Sequence, residues 1–254
     1  MSAKTEIISN IESNVSTNGT GNISGLSLQN VLKGMINNGM FYDSGTGTGS
    51  VVRTVGVEIP STALGEQSYA EGYNCKTGGT DDYNSLTPSE SSSAGLMAHA
   101  EGNSTIAKGA NSHAEGKKTF ANGVAAHAEG YNTFVNATAG HAEGQSTQAT
   151  GSLSHVEGYH TSAQNYAEHA QGYYNKSNKA STTFGDAGNT HHSIGVGNST
   201  TPRNAIEVMQ NGEIYIIGLG GYDGTNAGVS GVKSLQVLLA ELDGITYVPV
   251  TITG

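Results

Sequence analysis

Six histidines recur at an unbroken interval of 14 residues: His99, His113, His127, His141, His155 and His169. Each opens the word His-Ala-Glu-Gly, with Val156 and Gln171 the only departures. Three residues after the Gly stand Thr105, Thr119, Thr133, Thr147 and Thr161, followed two residues later by Ala107, Ala121, Val135, Ala149 and Ala163. A period this short, punctuated by Gly and free of Pro, is too small for a globular unit, so each repeat must be one coil stacked on the last. Extended backbone alternates its side chains, which puts His99 and Glu101 on one face and Ala100 on the other. The inside of such a coil has room for little beyond Ala and the small face of Thr. We therefore expect an all-β parallel solenoid with His and Glu facing outward.

The composition fits a thin rod. Gly supplies 37 residues, Trp is absent, Phe numbers 4, and the apolar fraction is 35%, below the roughly 45–50% of ordinary globular domains. Charged residues are too sparse, at 13%, for a chain kept disordered by self-repulsion. The formal charge of −10, without a Lys/Arg cluster, argues against nucleic acid as a partner. No stretch approaches the roughly 20 apolar residues of a membrane span, and MSAKTEIISN lacks the apolar run of a signal peptide. These features predict synthesis and assembly in a bacterial host cytoplasm without membrane insertion. The single Cys75 cannot form an intrachain disulfide and reads as a small buried hydrophobe.

Three zones follow from the pattern. Residues 1–50 form an N-terminal region with a short helix over 27–38, whose stripe is Leu28, Val31, Leu32, Met35 and Ile36, followed by a Gly/Thr linker. Residues 51–200 form the repeat region, opened by a strand at 51–59. Its first coil, Tyr69-Ala70-Glu71-Gly72, precedes His99 by 30 residues, and the polar stretch near 78–93 reads as an excursion from the rod. Ile194 to Thr200 reads as a last coil with Ile194 and Val196 in the His and Glu slots. Residues 201–254 form the closing zone, with a hairpin around Asn211-Gly212 and a short helix marked by Leu235, Leu238, Leu239 and Leu242. Helices this short need a packing partner.

Coils stack about 4.7–4.9 Å apart, so the repeat builds a ladder of His99, His113, His127, His141, His155 and His169 beside a ladder of Glu101, Glu115, Glu129, Glu143 and Glu157. Slots that accept both this pair and the apolar Ile194 and Val196 suit an interface between chains. The sequence Ser-Ile-Gly-Val-Gly-Asn-Ser-Thr at 193–200 resembles the coil motif of the YadA-type head domains of trimeric autotransporter adhesins. The His-Ala-Glu-Gly words resemble repeats of bacteriophage fibre proteins, and the region from Arg203 onward is similar to the ends of fibres from phages of gut bacteria. The resemblance covers about residues 61–200. It implies a left-handed parallel β-roll, a homotrimer, and short terminal helices with a C-terminal hairpin capping the trimer. An adhesin would add a signal peptide, stalk and anchor, so the phage reading is preferred.

Six near-identical copies of one constellation argue for structure and against an active site, which needs one unrepeated arrangement of acid and base. The expectation is a structural virion fibre, not an enzyme, without cofactor or catalytic residues. It would dock on other virion proteins through its N-terminal region and contribute to host attachment, with host surface glycan a possible ligand. The competing readings are a glycan-cleaving tailspike and a bacterial adhesin head. The excursion supplies Asp81, Asp82, Tyr83 and Glu90 as candidate ligand-contact residues, without the basic and aromatic set a glycosidase groove would show. Stacked His could bind a metal, but the adjacent Glu offers each imidazole a partner, so hydrogen-bonded structural His is the favoured reading; if the column faces Glu across chain contacts the imidazole pKa values should be raised, and if the His are buried neutral the dependence reverses. The adjacent His191 and His192 would point to opposite faces and form a poor chelate. The Thr column, alternating with Ala, is assigned to coil packing in preference to ice binding.

Overall fold

The computed structural model describes residues 43–44, 50–54, 61–78, 95–225, 227 and 231–248. The helix expected over 27–38, linker residues 45–49, and Asp81, Asp82, Tyr83 and Glu90 lie outside them. The described chain is a parallel β-solenoid of 14-residue coils.

Each coil contributes one strand to each of two sheets. The first sheet stacks Tyr69–Tyr73, His99–Asn103, His113–Lys117, His127–Tyr131, His141–Ala142, His155–Val156 and His169–Tyr173. The second stacks Thr62–Ala63, Lys76–Thr77, Ile106–Ala107, Phe120–Ala121, Phe134–Val135, Gln148–Ala149 and Ser162–Ala163. Register is strict: His pairs with His, Ala with Ala and Glu with Glu from coil to coil. A one-residue slip would turn every Ala out and every His in, so the core itself fixes the register.

That core is as thin as the composition implies. Ala100, Ala114, Ala128, Ala142, Val156 and Ala170 line one wall, and Ala107, Ala121, Val135, Ala149 and Ala163 the other, all fully buried. The Thr105 to Thr161 column is buried between them, so it cannot present a surface array to ice. Cys75 occupies the same column in its own coil; burial raises its thiol pKa.

Each coil uses positive φ at three positions, a glycine that follows Glu in the first sheet and one residue at each of two bends. Gly102, Gly116, Gly130, Gly144 and Gly158 lie at φ between +100° and +115°, where an added Cβ would stand 2.1–2.3 Å from the next coil's carbonyl oxygen. The two bends hold non-glycine residues, among them Lys118 (φ 57°) and Ala125 (φ 54°) in one coil, and His160 (φ 52°) and Ala167 (φ 54°) in another.

The coil from Tyr69 pairs directly with the coil from His99. Gly78 and Gly95 meet there, the Cβ position of Gly95 lying 2.3 Å from the Gly78 nitrogen. Residues 79–94 are thus an insertion whose two ends sit together, and removing them from the 30-residue interval restores 14.

The last coil differs from the sequence reading. His169 pairs with His192, Gln171 with Ile194, Gly172 with Gly195 and Tyr173 with Val196. Ile194 therefore fills the Glu slot, His192 the His slot, and Val196 the position after Gly. The motif at 193–200 straddles the end of the strand Thr190–Val196 and the turn beyond it. Those apolar residues accordingly give no evidence that the His slot accepts Ile. A bulge between Thr190 and His192 separates His191, edge-on to Phe184, from His192, edge-on to His169.

The hairpin pairs Asn204–Met209 with Ile214–Ile216. Gln210 joins Asn211 and Gly212 in its loop, closed by Met209 N–H to Glu213 O at 2.8 Å, with Gly212 at φ +87°. Helix Leu235–Leu242 starts at Ser234, whose hydroxyl accepts from Val237 N–H, and ends at Asp243. Gln236 ties it to the hairpin, donating to Gly212 O at 2.9 Å and accepting from Ile214 N–H at 3.1 Å.

Candidate functional site

The outward columns of the first sheet form one continuous site. Extended backbone at each His-Ala-Glu tripeptide aims both polar side chains to the same side, and the following Gly leaves room beside them. The imidazoles of His99, His113, His127, His141, His155 and His169 stack nearly parallel, with centroids 4.6–4.9 Å apart and interplanar angles of 2–9°. Tyr69 continues the column edge-on to His99, and its hydroxyl donates to Glu71. Beside the imidazoles runs a groove of about 1070 Å³, walled by the Glu and Gly columns from Glu71 to Gly172. No basic residue lines it.

The expected hydrogen bond between His and Glu is not formed within the chain. The Nε2 to carboxylate distances are 3.5 Å for His99–Glu101 and 3.9 Å for His113–Glu115, His127–Glu129, His141–Glu129 and His169–Glu157. These exceed hydrogen-bonding range. Each of the six Nε2 atoms is buried without a hydrogen-bond partner in the chain.

The pKa directions follow from the stack. Burial, reinforced by neighbouring imidazoles, pulls His113, His141 and His169 below the usual histidine value, and His192 likewise. Within one chain these directions are those of imidazoles buried neutral, removal from water outweighing attraction to Glu. The carboxylates are too close to ionise together. Hydrogen bonding to Glu143 and Glu115 pushes Glu129 up to about 7, while the same contacts hold Glu115 and Glu143 below the ordinary value. Glu115, Glu129 and Glu143 thus titrate as linked groups.

A second polar cluster closes the C-terminal end of the roll, and the sequence reading missed it. In the coil from His155, Asn165 replaces the small residue found at Gly109, Gly123, Ala137 and Gly151, and Glu168 replaces Ser112, Ala126, Gly140 and Ser154. These breaks in the repeat columns were the available signal. Glu168 Oε2 accepts from Gln164 N–H, Asn165 N–H, Asn165 Nδ2 and Ser177 Oγ at 2.8–2.9 Å. Burial nevertheless pushes its carboxyl up to about 7. Next to it, buried Glu207 accepts from Thr190, Asn178 and Tyr222. Glu168 Oε1 and Asn165 Oδ1 stay buried without a partner, and the bonds that the other atoms make to one another form a structural plug.

No protein-family model and no curated protein matches the chain.

Proposed function

We propose that this chain is the subunit of a homotrimeric phage virion fibre, with a structural role that contributes to host-surface attachment. The observation that carries the reading is a solenoid whose in-register coils end in an uncovered apolar helix. Leu239 and Leu242 of that helix are 53% and 82% exposed, and Ile245 and Val248 beyond it are 64% and 75% exposed. A cluster of large apolar side chains on a chain with so small a core favours self-association. Exposed Met97, Val124 and Leu153, at neighbouring positions of one coil corner, extend an apolar edge along the rod. Three copies meeting along that edge and at the helix would cover both, in line with the trimeric fibres and adhesin heads the repeat resembles. The N-terminal region is then the attachment point to other virion proteins, and host glycan a ligand for the exposed surface.

The test is the assembly state of the purified chain. Light scattering should report a trimer with little folded monomer at micromolar concentration, and Leu242→Glu should shift it toward lower mass. A folded monomer would refute the assembly, while release of reducing ends from host capsular polysaccharide would replace the structural role with a tailspike enzyme.

A further inference from the structure

We propose that the imidazole and carboxylate ladder binds divalent transition-metal ions of the Zn2+ class, held by Glu–His–Glu trios at alternate coils, two ions per chain. The ligand sets are Glu101–His113–Glu115, Glu115–His127–Glu129, Glu129–His141–Glu143 and Glu143–His155–Glu157, each with its ligand atoms within 4.8 Å of one another. The proposal rests on the coils of one chain and is independent of the trimer.

Three observations support it. The first is the spacing. The imidazole to carboxylate distances of His113, His127 and His141 inside these trios are 3.9 Å, too long for a hydrogen bond. A tetrahedral ion with bonds of about 2.0–2.2 Å sets its ligand atoms roughly 3.3–3.6 Å apart, so closing the site takes a few tenths of an ångström between imidazole and carboxylate and no more than about 1.5 Å between any two ligand atoms. The second is the buried Nε2 of each ladder imidazole, which faces the carboxylates and has no hydrogen-bond partner in the chain. A buried polar atom left unmade is unfavourable, and a coordinate bond satisfies it. The third is electrostatic: a continuous column of mutually repelling carboxylates lines a groove without a basic residue. A dication removes that repulsion. The nitrogen donor selects Zn2+, Co2+ or Ni2+ over Ca2+ and Mg2+, which prefer all-oxygen sites.

The stoichiometry follows from the overlap. Glu115, Glu129 and Glu143 each belong to two trios. Filling all four would place eight positive charges against the five carboxylates of Glu101, Glu115, Glu129, Glu143 and Glu157. Filling alternate trios leaves no carboxylate shared, makes each occupied trio neutral, and separates the ions by two coil rises, ~9.6 Å.

This overlap makes the proposal testable with full-length protein. After chelation, the chain is dialysed against Zn2+ alone at neutral pH, and bound metal is counted by mass spectrometry. Two ions per chain are expected, falling away at acid pH as the ligands protonate. His→Phe substitutions keep an aromatic ring in the stack, as Tyr69 already does. His113→Phe with His127→Phe leaves two trios that share Glu143, and binding should fall to one ion. His127→Phe with His155→Phe leaves two trios with no shared residue, and binding should stay at two. Circular dichroism establishes that both double variants fold. If either fails to fold, Co2+ titration of the wild type decides, with paramagnetic broadening expected on the ladder imidazoles. No bound metal, four ions per chain, equal binding by the two double variants, or broadening centred on His160 and His191 would each overturn the proposal.

Discussion

Replacing Gly130 by Ala tests the coil geometry where two coils approach closely. Gly130 sits at φ +103°, and a Cβ there would lie 2.2 Å from the carbonyl oxygen of Gly144 and 3.0 Å from its nitrogen. That oxygen accepts from Tyr131 N–H at 2.9 Å, so it cannot move away without stretching the bond that joins the two coils. The backbone strain costs of order 1–3 kcal/mol. Opening the stack by about 1 Å forfeits one or two hydrogen bonds at about 0.5–1.5 kcal/mol each. The expected loss is therefore about 1.5–6 kcal/mol, a large part of the ~5–15 kcal/mol that holds a typical protein folded. Gly212→Ala is the control, since Gly212 shares the positive φ, at +87°, with nothing within 4 Å of the added Cβ. It should lose only the strain, about 1–3 kcal/mol. Urea unfolding followed by circular dichroism, at matched chain concentration, measures both. A Gly130→Ala protein no less stable than Gly212→Ala would refute the argument that close coil approach, and not φ alone, requires this glycine.

Three further outcomes are expected. Deleting residues 113–126 rejoins Ser112 to His127 with every column in register, so the protein should stay folded and shorten by one rise of about 4.8 Å by small-angle scattering, whereas deleting 113–119 puts Phe120 in the His slot and should give insoluble protein. Ala139→Gly, at an exposed corner with φ 50°, should raise stability by up to ~1 kcal/mol through strain relief, and an unfolding midpoint below wild type would count against that. The buried Glu168 carboxyl, raised to about 7 from 4.5, contributes stability that is full below pH 4.5 and lost as pH rises through 7. The unfolding free energy of wild type relative to Glu168→Gln should accordingly drop by about 3 kcal/mol between pH 4 and pH 8, and a difference that stays flat would contradict it.

What could be read from the sequence was whatever the repeat expressed as residue type. The His, Ala, Glu, Gly and Thr columns announce the coil, its inner and outer faces and its register, because small residues must point into so narrow an interior. Asn-Gly and the Leu spacing marked the hairpin and helix by the same kind of local chemistry. The corners were hidden. Lys118, Ala125, Leu153 and Tyr174 adopt left-handed backbone that their side chains do not advertise, and they hold it because the stacked coils on either side leave no alternative. The last coil was misplaced because residues 174–189 shift the phase, and Gly197-Asn198-Ser199-Thr200 imitates Gly102-Asn103-Ser104-Thr105 without sharing its place. The hydrogen-bonded His–Glu pair was inferred from adjacency along the strand, which fixes the side on which two groups lie but not the distance between them.

A stack of identical coils has no intrinsic end, since the last coil offers the same unpaired backbone as every other, an invitation to further strands. This chain closes its ends with side chains. The second sheet finishes at Ser162–Ala163, where the Asn175 amide accepts from Ser162 N–H at 2.7 Å and donates to Ser162 O at 2.9 Å, standing in for the backbone of an absent strand. Asn204 does the same for Lys176, at 2.9 and 2.7 Å. The first sheet ends differently: strand Thr190–Val196 is parallel to His169–Tyr173 on one side and antiparallel to Asn204–Met209 on the other, so the direction of stacking reverses and cannot propagate. Val51–Thr54 plays the matching part at the other end, parallel to Tyr69–Tyr73 and antiparallel to Asp43–Ser44. Between these ends, each coil adds only a few buried Ala and Thr side chains, so its stability comes mainly from the two neighbours it touches. Terminal coils, with one such neighbour, are the weak points of any solenoid, and here the C-terminal one is covered by the polar plug around Glu168 and Glu207. The residues that break the repeat therefore give the rod a defined length.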